Sequence, residues 1–258
     1  MPSTDRDGLA QQVFLGMVAA GHNFIPLWKR WPADLETPLT TWLKVGADSD
    51  HGVLLESVEG GERIGRWSFV VSDPLWTLTS RGAHSQRRWR DGRCQTLTGN
   101  PFELLRECLE PLSSPQIPGL PPVGQLFGFW GYELIRWIEP IVPVHQPGED
   151  SPPDGSWMLA DSLLVFDQVK RQITAVAYAD LSGGQDRQMA YTAAAARISA
   201  LEERMHSPLP ASVTPLRWHD ASPAEMAQSL ITSSNFGQEA FEAAVLQGEH
   251  HRSEEHHV

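Results

Sequence analysis

The stretch "LLESVEGGERIGRWSF", residues 54–69, predicts two β-strands joined by a glycine-rich connection. Apolar residues lead into Glu56 and Ser57, and an aromatic run follows Arg66. The connection "EGGERIG" has neither the dinucleotide-binding nor the P-loop spacing of glycines, and no helix pattern follows it. The stretch therefore favours a strand pair in an antiparallel sheet over a phosphate-binding loop.

The polar residues at the end of the first of these strands have two interpretations. A carboxylate accepts charge-assisted hydrogen bonds from an ammonium group, and a hydroxyl both donates and accepts. Glu56 and Ser57 therefore suit the head group of a small zwitterion such as an amino acid. The residues fit a structural role equally well, in which Ser57 caps the turn and Glu56 pairs with Arg63 or Arg66.

Further strands are predicted on both sides of this stretch. The dipeptide Asp91-Gly92 favours a tight hairpin turn, and the runs "DSLLVFD" and "RQITAVAYAD" are separated by a turn around residues 168–170. Consecutive hairpins indicate antiparallel pairing. The predicted strands are residues 52–57, 66–72 and 75–81, the pair flanking Asp91-Gly92, "GQLFGFWG" and the two runs above.

Helices with clear end signals lie between the strands. Thr37 is placed to cap a helix, Pro38 suits the first helical position, and we expect Gly46 to end the helix in the left-handed conformation. A short helix before Gly21 and another beginning at Pro101 follow similar patterns. The segment "RQMAYTAAAARISALEERM" is predicted to cover a sheet with one face, formed by Tyr191, Ala194, Ile198, Leu201 and Met205. The fold class is therefore α+β, with antiparallel β-sheets and covering helices.

Composition narrows the class of partner. The formal net charge of -12 over 258 residues disfavours nucleic acid, because binding to phosphates depends on lysine and arginine. No apolar run is long enough to span a bilayer, and acidic residues occupy the N-terminus where a signal peptide is basic. The two cysteines, Cys94 and Cys108, have no metal-binding spacing. We expect a cytoplasmic protein without a membrane or nucleic-acid partner.

No catalytic or metal-binding set stands out from the residues. Glu133, Asp161 and Asp167 are better explained as caps or turn formers than as a catalytic pair of carboxylates. The C-terminal run "GEHHRSEEHHV" mixes histidine with glutamate, but a polar terminus lacks a rigid scaffold for a metal ion, so we expect it to be disordered. We predict no catalytic residue, metal site or cofactor in this chain.

The expected organisation has four parts. A helix occupies residues 1–22, the main domain residues 23–206, and a linker rich in serine and proline residues 207–235. Residues 236–258 form a last helix with a polar tail.

Four segments together resemble, in this order, the N-terminal region of anthranilate synthase component I. The resemblance covers about residues 23–200, and the pair "LLES" and "GGERIGRWSF" is specific for that family among the enzymes that use chorismate. The four segments are "NFIPLWKRWPADLETPLTTWLKV", "LLESVEGGERIGRWSF", "GQLFGFWGYELIRWIEP" and "PDGSWMLADSLLVFDQVKRQITAVAYA".

The resemblance implies a regulatory part of a biosynthetic enzyme. The full-length family converts chorismate to anthranilate and pyruvate with Mg²⁺ and ammonia from a glutamine amidotransferase subunit, and tryptophan inhibits it by feedback. By this resemblance the tryptophan site comprises Glu56, Ser57, Arg66, Trp67 and Ser68. The family's catalytic residues lie in a further domain. Residues 234–246 resemble only the first helix of that domain, so we expect this chain to be truncated and inactive alone.

Two other interpretations stay open at this point. In the first alternative the chain is one half of a split enzyme that complements a separate catalytic chain. In the second it is the first domain of an aminodeoxychorismate synthase component I. The segment "GGERIGRWSF" argues against the second of these.

Overall fold

The computed structural model describes residues 10–56, 65–121, 125–139, 141–142, 151–210 and 237–255, and the side chains of the last range as far as residue 247. The chain divides into two compact units, Met1–Ala211 and Ser212–Val258. The four-part division predicted from the sequence stays a prediction.

The first unit contains ten strands and several helices among its described residues. The helices are α1 (Gln11–Ala19), α2 (Pro38–Val45), α3 (Pro101–Leu109), α4 (Ile135–Ile138) and α5 (Arg187–His206), with a 3₁₀ helix at Tyr132–Leu134 before α4. The strands are β1 (Phe24–Pro32), β2 (Gly52–Glu56), β3 (Trp67–Ser72), β4 (Trp76–Arg81), β5 (His84–Trp89), β6 (Cys94–Thr98), β7 (Leu126–Trp130), β8 (Gly155–Leu159), β9 (Ser162–Asp167) and β10 (Gln172–Asp180).

The strands form two five-stranded sheets. The first sheet has the order β1-β10-β9-β3-β2 and the second the order β6-β5-β4-β8-β7. The strand pairs are antiparallel. The predicted α+β class with antiparallel sheets is therefore confirmed.

Two apolar cores lie on opposite faces of the first sheet. The helix-side core joins that sheet to α1, α2 and α5, and the inter-sheet core joins it to the second sheet and α3. Because neighbouring residues of a strand face opposite ways, each strand of the first sheet contributes to both cores. In β3, for example, Val70 belongs to the helix-side core and Val71 to the inter-sheet core.

Helix α2 begins as predicted but ends differently. The Thr37 Oγ1 accepts a hydrogen bond from the Thr40 backbone N–H at 3.0 Å, and the Thr40 hydroxyl accepts one from the Thr37 N–H at 2.9 Å. The prediction that Gly46 is left-handed is wrong, since its φ is -125°. Glycine is required there because the Trp42 indole lies 2.3 Å from where a Cβ would stand.

Two strands were missed by the sequence prediction. Strand β1 contains Pro26 and Pro32, and proline within an apolar run argues against a central strand. β1 is an edge strand of the first sheet, where a residue without an N–H is tolerated. Strand β8 lies between β4 and β7 in the second sheet.

The second unit contains helix α6 (Gln238–Glu255) among its described residues. The expectation that the C-terminal run is disordered is wrong as far as Glu255, because the helix continues through it. Phe241, Val245 and Leu246 are exposed on this helix. No described helix is long and apolar enough to cross a membrane.

Candidate ligand-binding site at the end of the first sheet

The predicted site lies where β2 ends and β3 begins. Glu56 is the last residue of β2 and stands directly opposite Ser68 of β3. Opposed residues of an antiparallel pair project from the same face. Leu54 and Val70, two positions away on each strand, belong to the helix-side core. The Glu56 carboxylate and the Ser68 hydroxyl therefore share the helix-facing side of the sheet.

These two polar groups differ in their surroundings. Ser68 is 2% exposed, and its Oγ accepts a hydrogen bond from Gln168 Nε2 at 3.1 Å. Glu56 is exposed at the open edge of the sheet, and no described residue forms an ion pair with it. The Ser68 hydroxyl oxygen has a second lone pair that can accept another hydrogen bond, and an exposed carboxylate can accept several. Together they offer the groups that bind an ammonium.

Trp67 and the guanidinium of Arg66, the residue before β3, lie on the opposite side of the sheet. Trp67 packs against the inter-sheet core. The guanidinium carbon of Arg66 lies 4.5 Å from the centre of the Trp67 ring, which is a cation–π contact. Arg66 also donates from Nε to Asp167 Oδ1 at 3.0 Å and from Nη2 to Oδ2 at 2.6 Å. This two-point contact fixes the plane of the guanidinium.

Asp167 holds this arrangement together. It is the last residue of β9, it stands opposite Trp67, and only 5% of it is exposed. Its Oδ1 also accepts hydrogen bonds from the backbone N–H groups of Val169 at 3.2 Å and Lys170 at 3.1 Å. Burial alone would raise the pKa of this carboxyl, but the hydrogen bonds from Arg66 and Lys170 outweigh burial and hold its pKa below the usual value.

The structure thus separates the predicted residues into two pairs. Glu56 and Ser68 share one face of the sheet, while Trp67 and the guanidinium of Arg66 lie on the other. Ser57 and Arg63 lie outside the described residues. The assignment of these residues to a tryptophan site stays a prediction.

The Arg66–Asp167 ion pair was missed by the sequence prediction. The turn-forming role expected for Asp167 is seen in its two backbone hydrogen bonds. The ion pair depends on β3 lying beside β9, and these strands are separated by five others along the chain. Local pattern carries no signal for such a neighbour, because a strand's periodicity fixes its faces and not its partners.

Comparison with known proteins places this two-sheet α+β unit in a family. The chain is 48% identical over 221 residues to anthranilate synthase component 1 of Synechocystis, and 34% identical over 240 residues to that of Pseudomonas aeruginosa. These alignments cover 85% and 91% of this chain, but only 43% and 46% of the relatives. The chain therefore spans less than half the length of the curated relatives it matches.

A solved structure of anthranilate synthase component I from Streptococcus pneumoniae also matches, with a TM-score of 0.45 and 24% identity over 69% of this chain and 36% of that one. No protein-family model matches the chain. The chain belongs to the anthranilate synthase component I family by its sequence, as the counterpart of the N-terminal part of these proteins.

Proposed function

We propose that this chain is the regulatory part of an anthranilate synthase component I, that it binds L-tryptophan as a feedback inhibitor, and that it does not form anthranilate alone. The observation that carries the proposal is the pairing of Glu56 with Ser68 at a strand end, in a chain 48% identical to a relative named anthranilate synthase component 1. The choice of tryptophan rests on the family resemblance.

The chemistry of the strand end suits an amino-acid head group. The ammonium of the ligand binds the exposed Glu56 carboxylate, and the Ser68 hydroxyl contributes a second polar contact from the same face. A hydrogen bond to a charged group contributes about 1.5–3 kcal/mol, and the exposure of Glu56 places it near the lower end of that range. Removing the charge of Glu56 should therefore weaken binding about tenfold.

The test is the thermal midpoint of the purified chain with and without millimolar L-tryptophan, with L-phenylalanine as the control ligand. A ligand that binds only the folded state stabilises it by about 2.7 kcal/mol at a concentration of 100 Kd. We expect a shift specific to tryptophan that is strongly reduced in Glu56→Gln. The matched control is Glu203→Gln, which alters an exposed glutamate of α5 and should keep the full shift.

Two outcomes contradict the proposal. A cooperative transition whose thermal midpoint does not change with tryptophan would show that this chain does not bind the ligand. A tryptophan shift of equal size in the parent and in Glu56→Gln would place the ligand away from the end of β2.

A second candidate function follows from the exposed apolar surface near β7. This edge strand of the second sheet and the segment after it carry large apolar side chains that are 49–87% exposed, namely Phe129, Tyr132, Ile138 and Ile141. Such surfaces mark interaction sites. In this proposal a separate chorismate-binding chain docks there, and that chain uses Mg²⁺ and a glutamine amidotransferase subunit.

Co-expression with a catalytic chain tests this second candidate. Anthranilate formation should require both chains, and Phe129→Ser should reduce both co-purification and activity. Failure of the two chains to co-purify would argue against a split enzyme.

A further inference from the structure

A small cavity lies at the same end of the first sheet, beside the turn between β9 and β10. Its volume is about 350 Å³, and Arg30, Trp31, Asp34, Lys170, Arg171 and Gln172 contribute to its lining. This volume is near the lower limit for ligand sites, which begin at about 300 Å³. The cavity therefore fits a small molecule.

The charge of the lining contrasts with that of the chain. Among the described residues of the lining, Arg30, Lys170 and Arg171 are cationic and Asp34 is the one carboxylate, in a protein with a net charge of -12. Arg171 has no ion-pair partner among the described residues. Three cations brought to one concave surface repel one another, and a bound anion relieves that repulsion.

The turn that presents these cations is held in place from two sides. Asp167 accepts hydrogen bonds from the N–H groups of Val169 and Lys170, and the Arg171 carbonyl accepts one from the Ala33 N–H at 2.9 Å. The cations of the turn are therefore attached to a fixed backbone, which lowers the entropic cost of binding a ligand.

The backbone of Arg171 is itself unusual. Its φ is +46°, in the left-handed region that favours glycine, at the residue that leads from the turn into β10. A non-glycine residue in this conformation costs about 1–2 kcal/mol. Strain of this kind concentrates at ligand-binding positions, and here it is tolerated at a residue that adds a guanidinium to the cavity.

We propose that this cavity is a binding site for a small oxyanion, a phosphate or a carboxylate, held by Lys170, Arg171 and Arg30. The net charge of -12 disfavours an extended polyanion, whose remaining charges would lie against an acidic protein. A small anion responds mainly to the three nearby cations. The site is separate from the predicted tryptophan site, because Glu56 and Ser68 belong to β2 and β3.

The test is isothermal titration calorimetry of the full chain with sodium phosphate and, separately, with malonate. Sodium chloride at matched ionic strength controls for screening of charge. We expect saturable binding of phosphate, malonate or both, and the stronger of the two identifies the natural class of ligand. The double substitution Lys170→Gln and Arg171→Gln should weaken binding at least tenfold, while Arg187→Gln, on the exposed first turn of α5, should not change it.

A second variant separates binding from folding. Arg171→Gly removes one cation but places glycine where the backbone favours it, so the thermal midpoint without ligand should equal or exceed that of the parent. Its affinity for the anion should still fall. The proposal is overturned if the folded parent binds neither anion beyond the chloride control, or if the double variant and Arg171→Gly bind as tightly as the parent.

Discussion

The carboxylate of Asp167 is predicted to stabilise the fold through two separable functions, the ion pair with Arg66 and the turn after β9. Asp167→Asn keeps a carbonyl oxygen for the N–H groups of Val169 and Lys170, but it removes the charge and turns an NH₂ group toward Arg66. Asp167→Ala removes both functions. The two substitutions therefore differ by the contribution of the turn.

The expected losses follow from the contacts. A hydrogen bond to a charged group contributes about 1.5–3 kcal/mol, and the Arg66 side chain is 30% exposed, so water replaces part of the lost interaction. We expect Asp167→Asn to lower the free energy of unfolding by about 1.5–2 kcal/mol. Two turn hydrogen bonds at about 1 kcal/mol each bring the expected loss for Asp167→Ala to about 3–4 kcal/mol.

The effect should also depend on pH. The pKa of Asp167 is lower in the folded chain than the unfolded value of about 3.9. The stabilisation is therefore complete above the unfolded pKa, and it is lost as the pH falls through the lower folded pKa. Parent and Asp167→Asn should differ most near neutral pH and converge in acid.

Urea unfolding followed by tryptophan fluorescence measures these differences. Of the ten tryptophans only Trp218 lies beyond Ala211, so the signal reports on the first unit. Asp91→Asn is the matched control, because its ion pair with Arg93 is exposed on both sides and its loss should leave stability almost unchanged. Equal losses for Asp167→Asn and Asp167→Ala, or a loss for Asp167→Asn that does not shrink in acid, would refute this reasoning.

Three further predictions concern close packing and burial in the first unit. Gly128→Ala places a Cβ 2.2 Å from a backbone oxygen of β8 and should lower the free energy of unfolding by about 2 kcal/mol or more. In the same urea assay Gly183→Ala should be neutral, because no described atom lies within 4 Å of its Cβ position. Burial raises the pKa of Tyr178 to about 12. The stability that the neutral phenol contributes is therefore complete below the unfolded pKa of about 10 and is lost as the pH rises toward 12. This loss should be smaller in Tyr178→Phe when unfolding is followed by circular dichroism. The exposed Cys94 should react with a thiol reagent in the folded chain much faster than Cys108, where burial raises the pKa of the thiol; equal rates would contradict that burial.

Local signals predicted much of the fold. The cap at Thr37 and the turn at Gly92, with φ of +90°, depend on residues close in sequence, and both are found as predicted. The helix face from Ala194 to Met205 was also correct, because a single periodicity fixes which side chains are buried. These are features that a short segment specifies by itself.

Features that depend on tertiary neighbours were not predicted. Strand β1 is permitted by its edge position, which no property of its own sequence reveals. The restraint on Gly46 comes from the Trp42 ring and not from its own backbone angle. The same limit applies to the candidate site. The sequence identified the end of β2, and the alternation of β3 already separates Ser68 from Trp67. The pairing of Glu56 with Ser68 and of Arg66 with Asp167 became visible only with the strand neighbours.

The sheet order also explains why both proposed sites occur at one end of the first sheet. Trp67 stands opposite Asp167, Asp167 opposite Gln172, and Gln172 opposite Pro32, so one row of residues crosses four strands from the predicted tryptophan site to the anion cavity. Within this row Asp167 accepts hydrogen bonds from Arg66, which precedes Trp67, and from the N–H groups of the turn that leads to Gln172. The side chain that neutralises Arg66 thus also fixes the turn that carries the cations of the cavity. A single buried carboxylate inside the row therefore orients Arg66, one of the residues predicted for the tryptophan site, and also fixes the turn at the anion cavity.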